Sequence, residues 1–167
     1  MFYPAKSNNR YWNLAKTFLQ TLAFWFLLLF LVPHFISKID VLRVPTLPYV
    51  GWFLFCCFGA LGLYTGFTMS WFGRGTPLPT DCPRELVVSG PYRHVRNPMA
   101  VAGIGQGLAV SLIMGSLLVS IYALAGAILW HLVVRPIEEN DLSERFGESY
   151  LIYKRSTRCW LPKISRS

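Results

Sequence analysis

Residues 97–134 contain no lysine, arginine, aspartate or glutamate. One helix over that run would reach about 57 Å at 1.5 Å per residue. The hydrocarbon core of a bilayer is only about 30 Å thick, so the run must cross and return. Met114, Gly115 and Ser116 lie at its middle and predict a tight, uncharged turn between two antiparallel spans, about 98–113 and 117–135. Two other apolar runs come earlier. Residues 17–37 are charge-free and long enough for a span of about 20 residues. Residues 49–72 carry Trp52, Trp71 and Phe72 near their ends, where aromatics sit at a membrane interface. The first run exceeds a signal-peptide core and lacks a small-residue cleavage site, so it is expected to stay as an anchor.

Charged residues make up 14% of the chain, against about 25% in soluble domains. The expected fold is therefore an all-α integral membrane protein, a single membrane domain over 1–167. It has four transmembrane helices and a short helical cytosolic cap at 136–163. Basic residues gather in three places: Lys6, Arg10 and Lys16; Arg74, Arg84, Arg93 and Arg96; and Arg135, Arg145, Lys154, Arg155, Arg158, Lys163 and Arg166. An even number of spans puts all three on one side, which the positive-inside rule makes cytoplasmic, with both termini there. The net charge of +8 is thus assigned to anionic lipid rather than nucleic acid. No obligatory protein partner is expected. Cys56 and Cys57 are adjacent in an apolar run, Cys82 and Cys159 stand alone, and no Cys-x-x-Cys spacing occurs. No metal site is expected.

Two polar clusters flank the hairpin. Residues 90–99 lead into the third span, and 135–142 leave the fourth. Pro136 cannot donate to the carbonyl of Leu132, so it either kinks the helix or opens a new one. Glu138 and Glu139 then fall near the start of a helical turn, where negative charge is favoured. They also lie near the apolar boundary, where ionised groups are costly unless paired. Arg135, Arg93 and Arg96 are available partners. The pair reads either as an interfacial salt-bridge network or as a carboxylate site for a cationic ligand. S-adenosylmethionine suits the second reading, with its sulfonium, ammonium, carboxylate and adenine. Glutamate takes the ammonium or ribose hydroxyls, arginine the carboxylate, and a tyrosine such as Tyr92 faces the sulfonium. Methyl transfer needs orientation and exclusion of water more than a strong base.

Residues 90–99, the hairpin, Glu138-Glu139, Leu142, Phe146-Gly147, Tyr150, Tyr153 and Trp160-Leu161-Pro162 together resemble the isoprenylcysteine carboxyl methyltransferase and phospholipid methyltransferase superfamily. The resemblance implies that Arg96, Asn97, Pro98 and Glu138 line a cofactor site, with Tyr92 and Arg93 of the same cluster close by. Glu139 lies beside it, and Arg135 contacts the acceptor. Three departures stand out. Asn97 replaces the histidine of the prenylcysteine enzymes, which argues against that substrate. Ala100 and Ala102 stand where the family usually has Tyr and Gly. Asn140 replaces a proline common in bacterial members.

Gly103 and Gly105 form a Gly-x-Gly that is either a cofactor signature or a helix-packing surface. His131 lies one turn before Arg135, and serves either the cofactor site or a hydrogen bond to a neighbouring helix. The expected activity is S-adenosylmethionine-dependent methyl transfer to a hydrophobic or amphipathic, lipid or isoprenoid-like acceptor entering from the bilayer. Glu139 would be the base for an amine acceptor, and Arg135 would place the acceptor. Two alternatives remain: a nicotinamide-dependent membrane reductase of similar helical plan, and a non-catalytic scaffold, which Ala100 and Ala102 motivate.

Overall fold

A computed structural model describes residues 3–78 and 81–162; Lys163, at the end of the expected cap, and Arg166 lie outside them. The described residues form helices and no strands. Helix α1 covers Arg10–Ile39, α2 Pro48–Gly73, α3 Pro98–Met114, α4 Leu117–Leu129 and α5 Arg135–Ser156. Asn9 starts α1 by accepting hydrogen bonds from the amides of Tyr11 and Trp12.

Two helices carry an internal proline, and each accommodates it in the same way. Pro33 in α1 removes an amide and crowds the carbonyl of Leu29, and Pro136 does the same to Leu132. The chain widens into a π segment just before each proline, at Trp25–Leu31 and Trp130–Val134. The wider register absorbs the clash without ending the helix. As a result α4, the second π segment and α5 form one helical run, Leu117–Ser156, of 40 residues. It is not one straight helix, because Gly147 takes non-helical angles within it. Its apolar part stops at Val134, so α5 lies outside the span.

Three helical runs are long and apolar enough to cross a membrane, and α3 adds a shorter apolar helix of 17 residues. Large apolar side chains face outward, among them Phe26, Phe30, Phe53, Leu124 and Ile128. The interior holds small and polar residues instead: Thr17, Thr65, Thr68, Ser70, Ala102 and Ala109 are buried. This is the inverse of a soluble core, and it lets helices approach closely in lipid. α3 packs most extensively on α2.

The hairpin turn is locked at the end away from the polar clusters. Gly115 ends α3 at a φ of +60°, and a Cβ there would lie 2.6 Å from the Val44 carbonyl oxygen. Ser116 caps α4 by accepting from the Val119 amide at 3.3 Å. Asp40 accepts from the Ser116 hydroxyl and from the Leu118 amide at 3.1 Å. At the other end, Arg74 ends α2 in the left-handed region at a φ of +55°, and the loop that follows runs back across the bundle.

Candidate functional site

The two polar clusters meet through the C-terminal segment. Gly147 breaks α5 with a φ of +52°, which lets the rest of the helix turn back. Tyr153 then donates from its hydroxyl to the Tyr92 carbonyl at 2.6 Å. Further along, the Arg96 amide donates to the Arg158 carbonyl at 2.9 Å and the Asn97 amide to the Cys159 carbonyl at 3.4 Å. Segments about 60 residues apart in the chain are thereby held side by side.

Glu139 is the knot of this arrangement. Arg96 Nη2 reaches its Oε1 at 3.0 Å, Arg135 at 3.6 Å, and Lys154 Nζ reaches Oε2 at 2.8 Å. Arg96 also donates to the carbonyls of Lys154 and Thr157, at 2.8 and 3.0 Å. Burial works against the Glu139 charge, but the Lys154 hydrogen bond and the charges of Arg96, Lys154 and Arg135 outweigh it. Its carboxyl is held below its ordinary value. A carboxylate so committed is a poor base, and Glu139 does not line the cavity described below. The structure thus places Glu139, expected as a base, in ion pairs and off the cavity. Arg135 is likewise turned to Glu139 and donates to the His131 carbonyl at 3.1 Å, outside the cavity. Both residues belong to the salt-bridge network, which was the other reading of the cluster.

Its neighbour Glu138 faces the opposite way. Among the described residues no hydrogen bond or ion pair reaches its carboxylate. It lines a cavity of about 890 Å³. Burial, then the negative charges of Asp141 and Glu139, push its carboxyl up to about 7. Tyr92, Arg96, Asn97 and Gly103 share that cavity. Burial, and then the proximity of Tyr153 and Glu138, raise the Tyr92 phenol, so it remains a neutral donor.

The cavity wall contains buried polar atoms with no partner: Tyr92 Oη, Arg96 Nε, Gln106 Nε2 and Gln20 Oε1. Buried polar groups are normally satisfied; these four unpartnered atoms all belong to residues that line the cavity. A free carboxylate that accepts, with a guanidinium N–H and a phenol that donate, lines this cavity and matches an ammonium, a carboxylate and hydroxyls. S-adenosylmethionine carries those groups, so the residues present fit it.

The remaining sequence candidates are distributed as follows. Pro98 is buried as the first residue of α3. Gly103 has no atom within 4 Å of a Cβ placed on it, whereas a Cβ on Gly105 would fall 2.5 Å from the Phe58 ring. Of the two glycines, only Gly103 opens on the cavity; Gly105 lets α3 press on α2, which corrects its cofactor assignment. Arg93 is exposed and away from the cavity. His131 Nδ1 accepts from Trp160 Nε1 at 2.9 Å, which fastens the tail to the π segment, and it too is off the cavity. Ala100 and Ala102 both line the wall, where their small side chains widen it.

Several cavity residues were not anticipated from sequence. Asp141 and Arg145 stand at the mouth, paired to each other at 2.6 Å, and Arg145 also donates to the Pro83 carbonyl at 2.6 Å. From α1 come Gln20, Phe24, Trp25 and Leu28, and from the hairpin Gln106, Tyr122 and Gly126. Gln20 and Gln106 did carry a signal, since each is polar within a charge-free run. Phe24, Leu28 and Leu129 line the cavity and are also exposed.

The family model for phospholipid methyltransferase matches residues 45–149. The chain belongs to that family. A search of curated proteins gave no match. The matched region holds α2, α3, α4 and α5 as far as its break, and so includes Tyr92, Arg96, Asn97 and Glu138. Membership makes the chain a membrane methyltransferase, in line with its apolar helices. Two parts of the site lie outside the matched residues: the α1 wall of the cavity, and the tail residues Lys154 and Thr157 that hold Arg96.

Proposed function

We propose that this protein transfers a methyl group from S-adenosylmethionine to a hydrophobic or amphipathic acceptor drawn from the bilayer. The observation that carries the reading is one cavity whose lining combines the unpaired Glu138 carboxylate with apolar residues, Phe24, Leu28 and Leu129 among them, that are also exposed. When bound, S-adenosylmethionine supplies an activated methyl group on a sulfonium. Glu138 would hold its ammonium or ribose hydroxyls, and Arg96 Nε its carboxylate. Tyr92 and Asn97 complete the mouth. Glu139 keeps Arg96 in place. The apolar wall excludes water from the transfer.

The N-terminal strap, the loop after α2 and the tail touch one another: the Ala5 amide donates to the Cys82 carbonyl and the Arg96 amide to the Arg158 carbonyl. All three are rich in basic residues, so this face is assigned to the cytoplasm, together with both termini. The bilayer and a lipophilic acceptor are the partners in this reading. The test is incorporation of tritiated methyl from S-adenosylmethionine into a total lipid extract of the native membrane. Wild type should label an extractable lipid and Glu138→Gln should not. Equal labelling by both proteins would remove Glu138 from the site.

A further inference from the structure

The inner half of the cavity contradicts the simplest picture of a greasy slot. Gln106 is the ninth residue of the 17 in α3, so it lies near the middle of the span, about 12 Å along the axis from Pro98. It is 1% exposed and lines the cavity. Its Nε2 has no partner. A Cβ placed on Gly59 would lie 3.3 Å from that nitrogen and 3.4 Å from the Trp25 ring, and neither neighbour offers a free acceptor. The last torsion of a glutamine is soft, so either end of the amide can be turned to the cavity. Gln20, on α1, lines the same wall with an unpartnered Oε1.

Hydroxyls buried between the helices elsewhere are satisfied. Thr65 donates to the Leu61 carbonyl at 2.6 Å, Thr68 to that of Tyr64 at 2.8 Å, Ser111 to that of Leu108 at 2.7 Å, and Thr17 pairs with Ser70 at 2.7 Å. Water is scarce at this depth, and an unpaired amide there is costly. The same cavity is lined by Phe24, Leu28, Leu29, Ile104, Ala123 and Gly126. Leucine at position 20 or 106 would suit a hydrocarbon tail better than glutamine does.

We propose that Gln106 and Gln20 form a hydrogen-bonding subsite for the acceptor, reading an ester, amide or ring carbonyl, or a hydroxyl, carried within its lipophilic part. The subsite selects oxygen- or nitrogen-bearing lipids over acceptors whose tails are hydrocarbon alone. This inference rests on the methyltransferase reading above and adds the chemistry of the acceptor to it.

Gln106→Leu and Gln20→Leu test it with readouts that move in opposite directions. Each variant removes an unpaired polar group, so thermal unfolding in detergent should be unchanged or raised by about 2–4 °C. S-adenosylhomocysteine affinity by calorimetry should stay within twofold of wild type. Tritiated-methyl transfer to total lipid extract in reconstituted vesicles should fall at least tenfold, through a higher KM for the lipid. Unchanged transfer would overturn the proposal, because the glutamines would then be packing residues. A parallel loss of S-adenosylhomocysteine affinity would also overturn it and assign them to the cofactor. Failure of the parent reading shows separately, as wild type that neither binds S-adenosylhomocysteine nor labels lipid.

Discussion

Replacing Glu139 by glutamine should unfold the site rather than disable its chemistry, and the size of the effect follows from exposure. The Arg96 and Glu139 side chains are 11% and 9% exposed and 3.0 Å apart. Removing one partner of such a buried pair costs about 3–5 kcal/mol, because the remaining charge is stranded. Lys154 is 41% exposed, and a surface partner of that kind adds only about 0–1 kcal/mol. The Arg135 contact, at 3.6 Å and 25% exposed, adds a similarly small amount. The total is about 3–7 kcal/mol, or a fall in Tm of about 6–28 °C for a chain of this size. Glu138→Gln should do the reverse. With its carboxyl raised from 4.5 to about 7, Glu138 contributes most stability below pH 4.5 and loses it as pH rises through 7. At pH 8 the neutral glutamine should be as stable as wild type or more so, by up to about 3 kcal/mol. Thermal unfolding of both variants in one detergent at pH 8 decides the matter. Should Glu138→Gln melt early while Glu139→Gln melts like wild type, the division of labour drawn here is wrong.

Cofactor binding should tighten with pH while Glu138 ionises. Its charged fraction rises about fivefold between pH 6 and 7 for a carboxyl at about 7, so the Kd for S-adenosylmethionine should fall by about that factor, and a flat profile in wild type would count against Glu138 as the ligand. Gly105→Ala should cost about 1–3 kcal/mol by forcing a methyl into the Phe58 ring, whereas Gly103→Ala should leave Tm unchanged; equal melting of the two would refute the packing assignment. Tyr153→Phe removes the 2.6 Å bond to the Tyr92 carbonyl and should cost about 1 kcal/mol. Limited proteolysis should detect it as earlier release of the C-terminal tail.

The spans were legible because bilayer thickness is a hard ruler: a charge-free run twice too long had to fold back, and the Met114–Ser116 region was the place for it. The helix ends extended beyond the apolar runs, since polar residues such as Arg10 and Lys38 continue a helix once it has begun. Pro136 was expected to kink the helix or open a new one; the π segment before it shows that a change of register, which no residue pattern announces, can absorb a proline. At the site, the convergence of Arg96 with the Glu138-Glu139 pair could be anticipated from charge. Which glutamate faces the cavity could not. Adjacent helical residues point about 100° apart, and only the position of Arg96, Lys154 and Arg135 around one of them shows which is bound up in ion pairs. The contribution of α1 was hidden because an apolar lipid-facing helix and an apolar cavity wall have the same composition.

The central claim is that Arg96 and Glu138, from segments on either side of the hairpin, grip one S-adenosylmethionine. Equilibrium binding of the tritiated donor to purified protein in detergent tests it most directly. Wild type should bind saturably, S-adenosylhomocysteine should displace the label and NADPH should not, and Glu138→Gln should lose binding while still melting cooperatively. Displacement by NADPH, or undiminished binding by a folded Glu138→Gln protein, would contradict it.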